Sequence, residues 1–515
     1  MALLDGSALS WLGLLGVILF YQFILRAPTI RRNGVPLRKP PNTLPLAGNG
    51  ILFLRARQEL FSWFVKCEQL FGDETFQISV PTLPPGVVIN DPKNLEYVFK
   101  NEGIFSKGDF FKRLSKDLFG NGIINVDGEL WKAQRKAGLA FLNTSNLRVL
   151  TDVALPRYLS QAVKHLNEKM RDGGVVDLQM VFHEITSQLM GKMAYNMEMH
   201  ADDDFTVAFD YASGATTERF QNPLWFVTEP LTGSQFRTAL NTIHTFGLRI
   251  VDNAARTHDK NQSISFGSDS NSDRLDEVSG SLIQSLLEVF AGNQKLVSDA
   301  ALNYLSAGRD TVAQALTWCI YLLMQHRQVA DKIRGEVSAL ARDPRMAAED
   351  EINSAALTPA SLPYTTATFY ETLRLYPPIP FEIKQCEKAT TLPDGTYLPE
   401  KSIVFWCTWA MNRSKIHWGD DADSFRPERW LTEDGKLITK SAAEFPVFNG
   451  GPRLCLGKRM AELLAVQVIA IMVLRFDFTP AYRGERVSKS SLTLPMEGGL
   501  PCIVKPSRHG SPSCS

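Results

Sequence analysis

The chain lacks the features that would place it in several common classes of protein. Its 515 residues carry 55 basic and 55 acidic side chains, and no basic block supplies the positive surface that nucleic-acid binding needs. We therefore expect no nucleic-acid partner. Its seven cysteines are scattered and contain no C-x-x-C pair, which argues against a zinc site or a dithiol redox centre. Unpaired cysteines of this kind are typical of a reducing, cytosolic environment.

Repeats and low-complexity segments are also absent, which argues against solenoid and fibrous architectures. Hydrophobic residues make up 44% of the chain and charged residues 21%, which is enough apolar material for a large core. Helix-period patterns dominate, as in residues 298–324 and 459–476, and short strand-like runs with turn residues are the minority. The sequence predicts a single large domain that is mainly α with small β-sheets.

One long apolar stretch lies at the N-terminus, from Leu9 to Leu25, and reads LSWLGLLGVILFYQFIL. It is just long enough to cross a bilayer as a helix. Acidic Asp5 precedes it and no small-residue cleavage motif follows, so an uncleaved anchor is favoured over a signal peptide. Basic residues after the stretch predict that the rest of the chain faces the cytosol. We expect a single-pass transmembrane anchor over residues 1–27.

Prolines follow the apolar stretch at positions 28, 36, 40, 41 and 45. Because proline fixes φ and disfavours helix in the residue before it, they predict a stiff, non-helical connector over residues 28–47. Residues 48–515 then form the globular domain.

Cys455 stands near the C-terminus in the stretch FNGGPRLCLGKRM, residues 448–460. An apolar-periodic run begins near Gly457, so the sulfur is expected close to a helix N-terminus, where the dipole and free N–H groups favour a thiolate that binds soft metals. Gly450, Gly451 and Gly457 allow tight turns and the close approach of a flat cofactor. Arg453 can reach an anionic group on that cofactor. For an isolated thiol, the alternative is a buried structural cysteine.

The complete pattern decides between these interpretations. FNGGPRLCLG matches F-x-x-G-x-R-x-C-x-G, and in this stretch the chain resembles the haem-binding loop of the cytochrome P450 family. The resemblance implies the cytochrome P450 fold, haem b as the cofactor and Cys455 as the axial ligand of the haem iron. It also implies cofactor contacts from Phe448, Gly450, Arg453 and Gly457.

A second motif, ETLRLYPP, has Glu371 and Arg374 at i, i+3 on one helix face and resembles the E-x-x-R of the same family. Such pairs are more often exposed ion pairs, and Glu168 and Arg171 form another. Only the first pair is followed by FRPERW, in which Arg429 resembles the third member of a buried network. The resemblance implies that this network holds the fold around the cysteine loop.

A third motif, SAGRDTVAQ, lies inside the apolar helix predicted from Ser298 to Met324. A threonine there can simply bond back to the i−4 carbonyl. In the family the A-G-x-D-T segment crosses above the iron. The resemblance therefore implies that Gly308 leaves room for dioxygen, Thr311 holds the hydrogen bond that guides protons to it, and Asp310 relays those protons from solvent.

A fourth motif, DGELWKAQRK, places Trp131 and Arg135 at i, i+4 and resembles the W-x-x-x-R of the helix that holds the haem propionates. Simple packing with a cation–π contact is the alternative. Lys384 stands where relatives often have an arginine and is a further propionate candidate.

The resemblance covers nearly the whole chain and implies a monooxygenase, in which RH, dioxygen, electrons and protons give ROH and water. No complete G-x-G-x-x-G is present, so flavin and nicotinamide belong to a partner. The likeness to microsomal members implies NADPH-cytochrome P450 reductase as that partner and the endoplasmic reticulum membrane as the location. A reductase-independent isomerase or dehydratase, or a haem-binding sensor, remains the alternative.

The motifs look closest to those of fungal and plant fatty-acid and alkane hydroxylases, which implies a lipophilic substrate that enters from the membrane. We expect a role in a fungal secondary-metabolite pathway, with fatty-acid or alkane hydroxylation as the alternative. Position along the chain predicts a pocket lined by Phe110, Phe111, Phe220, Trp225, Ile379, Phe381 and Leu494.

Overall fold

A computed structural model describes residues 11, 13–17, 29–45, 47–80, 83–222, 224–261, 274–276, 278–342, 347–348, 351–352 and 354–507. The α-helices are α1 (Gly50–Phe53), α2 (Arg57–Phe71), α3 (Pro92–Lys100), α4 (Gly108–Phe119), α5 (Gly128–Phe141), α6 (Thr144–Val149), α7 (Leu155–Arg171), α8 (Leu178–Tyr195), α9 (Asp204–Gln221), α10 (Trp225–Thr232), α11 (Ser234–Asn261), α12 (Ser281–Val289), α13 (Gln294–Gln325), α14 (Arg327–Ala341), α15 (Pro363–Leu375), α16 (Thr408–Met411), α17 (Lys415–Trp418) and α18 (Lys458–Arg475). A π-helical turn, Leu150–Ala154, joins α6 to α7.

The strands form small sheets whose neighbours are often far apart in sequence. They are β1 (Arg31–Arg32), β2 (Val35–Pro36), β3 (Phe76–Ile78), β4 (Gly86–Val88), β5 (Phe105–Ser106), β6 (Val175–Asp177), β7 (Ala347–Ala348), β8 (Glu351–Ile352), β9 (Phe381–Cys386), β10 (Thr390–Thr391), β11 (Thr396–Leu398), β12 (Ile403–Cys407), β13 (Phe476–Pro480) and β14 (Pro501–Pro506). Their orders are β10-β11-β1-β2, β3-β4-β12-β9-β5, β13-β14-β6 and β7-β8. The prediction of a mainly α fold with small sheets is confirmed.

The predicted anchor, residues 1–27, lies largely outside the described residues, which include only 11 and 13–17 of it. No helix among the described residues is both long and apolar enough to span a bilayer.

The proline-rich stretch is fixed to the domain by sheet pairing. β1 pairs antiparallel with β2, with Arg31 opposite Pro36, and also with β11, with Arg31 opposite Tyr397. Ile30 and Leu37 on either side are buried. The described part of the stretch, residues 29–45 and 47, contains no helix, and β1 and β2 join it to the sheet that also holds β10 and β11.

Helix α13 runs through the centre of the core. Every residue from Val297 to Leu323 is buried except Ala307, Gly308 and Thr311. A helix that is buried on almost all sides packs against several neighbours, and α13 contacts α8, α11, α15 and α18. The three exceptions lie on one helix face, because they are spaced by one turn.

A buried carboxylate joins α15 to the segment that leads toward the cysteine loop. Both oxygens of Glu371 accept hydrogen bonds of 2.8 Å from the Arg374 guanidinium. Arg429 donates to the same carboxylate over 2.9 Å, and so does the indole of Trp430. Glu371 and Arg374 are fully buried and the Arg429 side chain is only 6% exposed. The two guanidinium charges therefore share one desolvated carboxylate.

The remaining donors of Arg374 are also satisfied. They reach the backbone carbonyls of Asn412, Ala422 and Ser424. A buried charge is tolerated when its hydrogen bonds are complete. The arginine therefore fixes the largely irregular path of residues 412–424, whose only regular element is the short helix α17.

Glu371→Gln should destabilise the fold, because it leaves the buried Arg374 guanidinium without a counter-charge. It also removes one of the two carboxylate partners of Arg429, which keeps Asp421 at 3.3 Å. We expect a loss of about 3–5 kcal/mol in the free energy of unfolding, measured by urea denaturation. Glu168→Gln is the matched control, since Glu168 and Arg171 are exposed, and it should cost less than about 0.5 kcal/mol. Equal effects of the two substitutions would contradict a structural role for the Glu371 network.

Candidate active site

Cys455 lies in an irregular loop just before α18. Gly457 is the N-cap of that helix, and the backbone N–H groups of Gly457 and Lys458 lower the pKa of the Cys455 thiol. The Cys455 N–H donates to the Phe448 carbonyl over 2.7 Å, which closes the loop. The sulfur therefore lies at a helix N-terminus, as the sequence predicts.

Two opposing effects act on the thiol. Burial by surrounding protein raises the pKa of Cys455, whereas the Gly457 N–H, the charge of Arg135 and the Lys458 N–H lower it. Burial prevails, so the pKa is raised. A metal ion deprotonates a thiol that coordinates it. The sulfur thus lies beside two backbone N–H groups and a positive charge that favour its thiolate form.

The glycines of the loop have different roles. A Cβ on Gly450 would lie 2.2 Å from the ring of Phe99, and one on Gly451, whose φ is +60°, would lie 2.1 Å from the Phe99 carbonyl oxygen. Both positions therefore need glycine because the loop packs tightly on α3. At Gly457 no described atom lies within 4 Å of the Cβ position. Of the two glycines predicted to contact the cofactor, Gly457 borders open space. The need for glycine at position 450 is explained by its packing against Phe99.

The exposed face of α13 lies in the predicted A-G-x-D-T segment. Thr311 Oγ1 donates to the carbonyl of Ala307 over 2.8 Å, so the back-bond considered from sequence is present, on an exposed face. A Cβ on Gly308 would lie 2.7 Å from Met190 Sδ of α8. Because Gly308 has no Cβ, Met190 can pack against α13 at this position. The sequence did not indicate this contact.

Helix α5 brings this face and the cysteine loop to the same region. Tyr304, one turn before Gly308 on α13, donates to the Gln134 carbonyl of α5 over 2.8 Å. A Cβ on Gly138 of α5 would lie 2.4 Å from Tyr304 Oη and 2.5 Å from Leu456 Cδ2. The close approach that Gly138 permits therefore joins α5, α13 and the residue next to the cysteine.

Asp310 belongs to a buried polar cluster between α8, α9 and α13. Its Oδ1 lies 2.9 Å from Arg309 Nη1 and 3.9 Å from His183 Nδ1. Arg309 also donates to the Ser187 hydroxyl over 3.1 Å and lies 4.0 Å from Asp210 Oδ1, whose side chain is 46% exposed. A chain of charged groups therefore leads from Asp310 to the surface.

Burial controls the protonation of this cluster. It raises the pKa of Asp310 to about 7, against the lowering charge of Arg309, while Asp210 adds to the rise. Burial, helped by the charge of Arg309, holds the pKa of His183 well below its ordinary value. A carboxyl group that exchanges its proton near neutral pH is suited to proton transfer.

Asp310→Asn should flatten the dependence of stability on pH. Between about pH 4 and pH 7 the folded chain keeps a proton on Asp310 that the unfolded chain has lost, so the contribution of Asp310 to the free energy of unfolding falls as the pH rises through this window. The buried His183 acts in the opposite direction, but it does so in both proteins. We therefore expect the free energy of unfolding of the wild type to fall, relative to that of Asp310→Asn, by on the order of a few kcal/mol between pH 4 and pH 7, measured by urea denaturation.

Asp202→Asn, which alters an exposed carboxylate, should keep the wild-type slope. An unchanged slope in Asp310→Asn would show that Asp310 is already ionised at low pH in the folded chain.

Arg453 already has two carboxylate partners. It donates to Glu102 over 2.9 Å and to Asp127 over 2.6 Å, and its guanidinium lies 4.1 Å from the centre of the Trp131 ring. Its side chain is 8% exposed. An anionic group of a cofactor would therefore share Arg453 with these acids.

Trp131 and Arg135 of α5 pack against each other, and Arg135 also contacts the cysteine loop. The Arg135 guanidinium lies 5.4 Å from the centre of the Trp131 ring, which is the expected cation–π contact. Arg135 also donates to the carbonyl of Leu454, next to the cysteine, over 3.0 Å. Its charge acts on Cys455, so the pair belongs to the site.

Lys384 on β9 carries the least compensated charge of this group. It is 2% exposed, and no hydrogen bond or ion pair to its ammonium group exists within the described chain. Burial, with repulsion from Lys107 and Arg453, lowers the pKa of Lys384 to about 8. An anion placed beside this ammonium group would raise the pKa of Lys384 again and favour its charged form. Lys384, the weaker candidate in the sequence, is therefore the stronger one in the structure.

An apolar cavity with an empty volume of about 1190 Å³, part of it open solvent, lies beside β9 and α4. Of the predicted pocket residues, those that line it are Phe110, Phe111, Phe220 and Phe381. Trp225 packs against this aromatic cluster from outside, and Leu494 is fully buried. Ile379 is not part of the lining.

These features fit one kind of cofactor. A flat macrocycle whose metal accepts sulfur would cover Gly457 and the exposed face of α13, and acidic groups on it would compensate Lys384. Haem has this shape, these acids and an iron that binds thiolate. The site therefore defines the class of haem-thiolate proteins.

Comparison with known proteins agrees with this class. The family described as Cytochrome P450 matches residues 38–502. The chain is 29% identical to Cytochrome P450 94B1 of Arabidopsis thaliana, over 98% of each protein. It is 31% identical to Cytochrome P450 86B1 of Arabidopsis thaliana, over 86% of this chain and 81% of the relative. It is also 31% identical to Cytochrome P450 monooxygenase cyp1 of Mycosarcoma maydis, over 86% of this chain and 70% of the relative.

The chain therefore belongs to the cytochrome P450 family. It is a cytochrome P450 monooxygenase, with haem b as its cofactor and with dioxygen and a redox partner in its reaction.

Sequence motifs did not reveal several residues of the site. Glu102 lies 351 positions before Arg453 and Asp127 lies 326 positions before it. His183 and Asp210 reach Asp310 only because α8 and α9 pack near α13. No local spacing connects such partners, so only the folded chain identifies them.

Proposed function

We propose that Cys455 is the axial ligand of the haem iron and that this monooxygenase oxidises a lipophilic substrate. The observation that carries the proposal is solvent access, because Cys455 keeps accessible surface although protein atoms surround its sulfur closely enough to raise the pKa of the thiol. Of the cysteines that the structure describes, Cys455 is exposed, and Cys67, Cys319, Cys386, Cys407 and Cys502 are buried. When bound, the haem supplies the activation of dioxygen, with electrons from the redox partner.

The residues of the chain have separate tasks in this proposal. Lys384, Arg135 and Arg453 hold the acidic groups of the cofactor, because they supply charge and donors at its edge. Thr311 presents a hydroxyl on the open face of α13, where it can hold a proton next to the reacting centre. Asp310 takes up and releases protons within the buried cluster. An acid and a hydroxyl placed in this way favour oxygen insertion over an isomerase, a dehydratase or a sensor.

The cavity supports a lipophilic substrate. Aromatic and aliphatic side chains form most of its wall, and such a wall binds apolar molecules with little discrimination. Both the predicted role in fungal secondary metabolism and the alternative of fatty-acid or alkane hydroxylation are compatible with this lining.

Helix α10 supports membrane association of the domain. None of its residues is buried, and Phe226, Val227 and Leu231 are 56%, 55% and 84% exposed. Clustered exposed apolar residues are typical of protein or membrane contacts. We propose the endoplasmic reticulum membrane as the location, with residues 1–27 as a single-pass anchor and a cytosolic domain.

We further propose NADPH-cytochrome P450 reductase as the redox partner, docked near the Cys455 loop through basic side chains. Lys132 and Lys458 have acidic neighbours, at 2.7 Å from Glu129 and 3.8 Å from Glu462. Arg459 is exposed and donates to a threonine hydroxyl. Its charge is therefore the most available of the three for an acidic partner surface.

Cys455→Ser should abolish the red-shifted Soret band that reduced, CO-bound wild type shows when thiolate binds the haem. A hydroxyl group does not replace a thiolate as a ligand, so the spectrum reports the ligand directly. Cys386→Ser is the control, because the Cys386 thiol donates to the Lys388 carbonyl and a hydroxyl can do the same. A wild-type band at the position typical of histidine ligation would refute the assignment.

Thr311→Ala should keep the haem and divert reducing equivalents to peroxide, because the hydroxyl that holds the proton is lost. The measurement is the ratio of NADPH consumed to product and to peroxide formed. Thr317→Ala is the matched control, since Thr317 makes the same back-bond over 2.8 Å at a buried position of α13. Unchanged coupling in Thr311→Ala would exclude this role.

A further inference from the structure

Arg57 is a buried charge in the wall of the apolar cavity. It begins α2, lines the cavity and is 5% exposed. One nitrogen, Nη1, donates to the carbonyls of Lys489 and Ser491. Nε is buried without a partner, and no described residue accepts from Nη2. Two of the three guanidinium nitrogens therefore have no hydrogen-bond partner in the described part of the chain and can bind a molecule in the cavity.

No carboxylate among the described residues forms an ion pair with Arg57. Burial alone lowers the pKa of Arg57 to about 9. The carboxylate in the cavity wall, Glu382, is paired with Lys107 at 3.2 Å. Arg219, in contrast, is a buried arginine near the same cavity with two acidic partners, Asp117 and Glu229. The charge of Arg57 is thus unbalanced where a ligand would lie.

Arg413 shows that a missing carboxylate is not by itself a binding site. It too lacks an acidic partner among the described residues, but its guanidinium lies 3.8 Å from the centre of the Trp409 ring and it does not line the cavity. Arg57 differs because it borders empty volume. Its nearest aromatic ring, Phe61, lies 5.3 Å away.

We infer that Arg57 binds the carboxylate of a lipophilic carboxylic acid, whose hydrocarbon body fills the apolar cavity. Arginine matches a carboxylate through two parallel hydrogen bonds. The guanidinium is already desolvated in the folded protein, so the only new desolvation cost on binding is that of the ligand carboxylate. Binding then leaves both charges in a compensated ion pair. Phe110, Phe220 and Phe381 supply the apolar wall.

The inference deepens the proposed function, on which it rests, by naming the substrate class. A molecule with the same chain but without the acid would leave Arg57 unpaired, and a buried polar group left unpaired rejects such analogues strongly. The acid should therefore bind far better than its methyl ester or its alcohol, although all three fit the apolar wall.

The test is equilibrium binding to the full-length, haem-loaded protein. The probes are palmitic acid, methyl palmitate and hexadecanol, together with a rigid tricyclic diterpenoid acid and its methyl ester. Binding is followed by the haem difference spectrum and independently by quenching of tryptophan fluorescence. We expect at least one acid to bind about tenfold to a hundredfold more tightly than its ester, and the two acids distinguish a straight chain from a ring skeleton.

Arg57→Met should remove the preference for the acid and leave the affinity for the ester unchanged. Arg57→Lys should keep part of the preference for the acid, because an ammonium group keeps the positive charge but cannot form two parallel hydrogen bonds to a carboxylate. Arg55→Met is the matched control, since Arg55 is 57% exposed and paired with Glu59, and it should keep the full preference.

Equal affinity of acid and ester in the wild type would overturn the inference, and that comparison needs no variant to fold. A preference that persists in Arg57→Met would overturn it as well. A wild type without the thiolate-type Soret band would refute only the proposal that Cys455 binds the haem iron. The inference about Arg57 would still be tested, because the fluorescence titration does not depend on that ligation.

Discussion

The carboxylate of Glu371, shared by Arg374 and Arg429 inside the protein, is the interaction on which the arrangement of the site depends. Residues 412–424 form a largely irregular path, and their backbone carbonyls accept from Arg374 in place of a regular ladder. Because desolvated charges are tolerated only in complete networks, this segment has one favourable path. That path leads through the Arg429 turn to the loop that presents Cys455 at the start of α18.

Charge balance in the interior explains much of the function. Arg453 is buried and forms ion pairs with two acidic side chains of the protein, so its charge is compensated before any ligand binds. Lys384 and Arg57 are buried without an ion-pair partner among the described residues, and Arg57 borders the apolar cavity. One lies with the cations near the cysteine loop and suits the acidic groups of the haem. The other lies in the apolar cavity and suits an acidic substrate.

The proton-handling side of the site follows from helix packing. Thr311 and Asp310 are neighbours in sequence but lie in different surroundings, one on the open face of α13 and the other in a buried cluster with His183 and Arg309. Because Gly308 admits Met190, α8 lies close to α13 at this point. This close packing accounts for the burial that raises the pKa of Asp310 to about 7.

The sequence by itself determined the fold class, the cofactor and the local motifs. The loop around Cys455, the pair Glu371 and Arg374, and the segment with Thr311 are short-range patterns, so their spacing is readable without a structure. Only the tertiary structure decided which charges are balanced. Glu102 reaches Arg453 and Asp210 reaches Arg309 from distant parts of the chain, whereas Arg57 has no ion-pair partner among the described residues. Burial and pairing depend on distances in space, and the order of residues along the chain does not contain them.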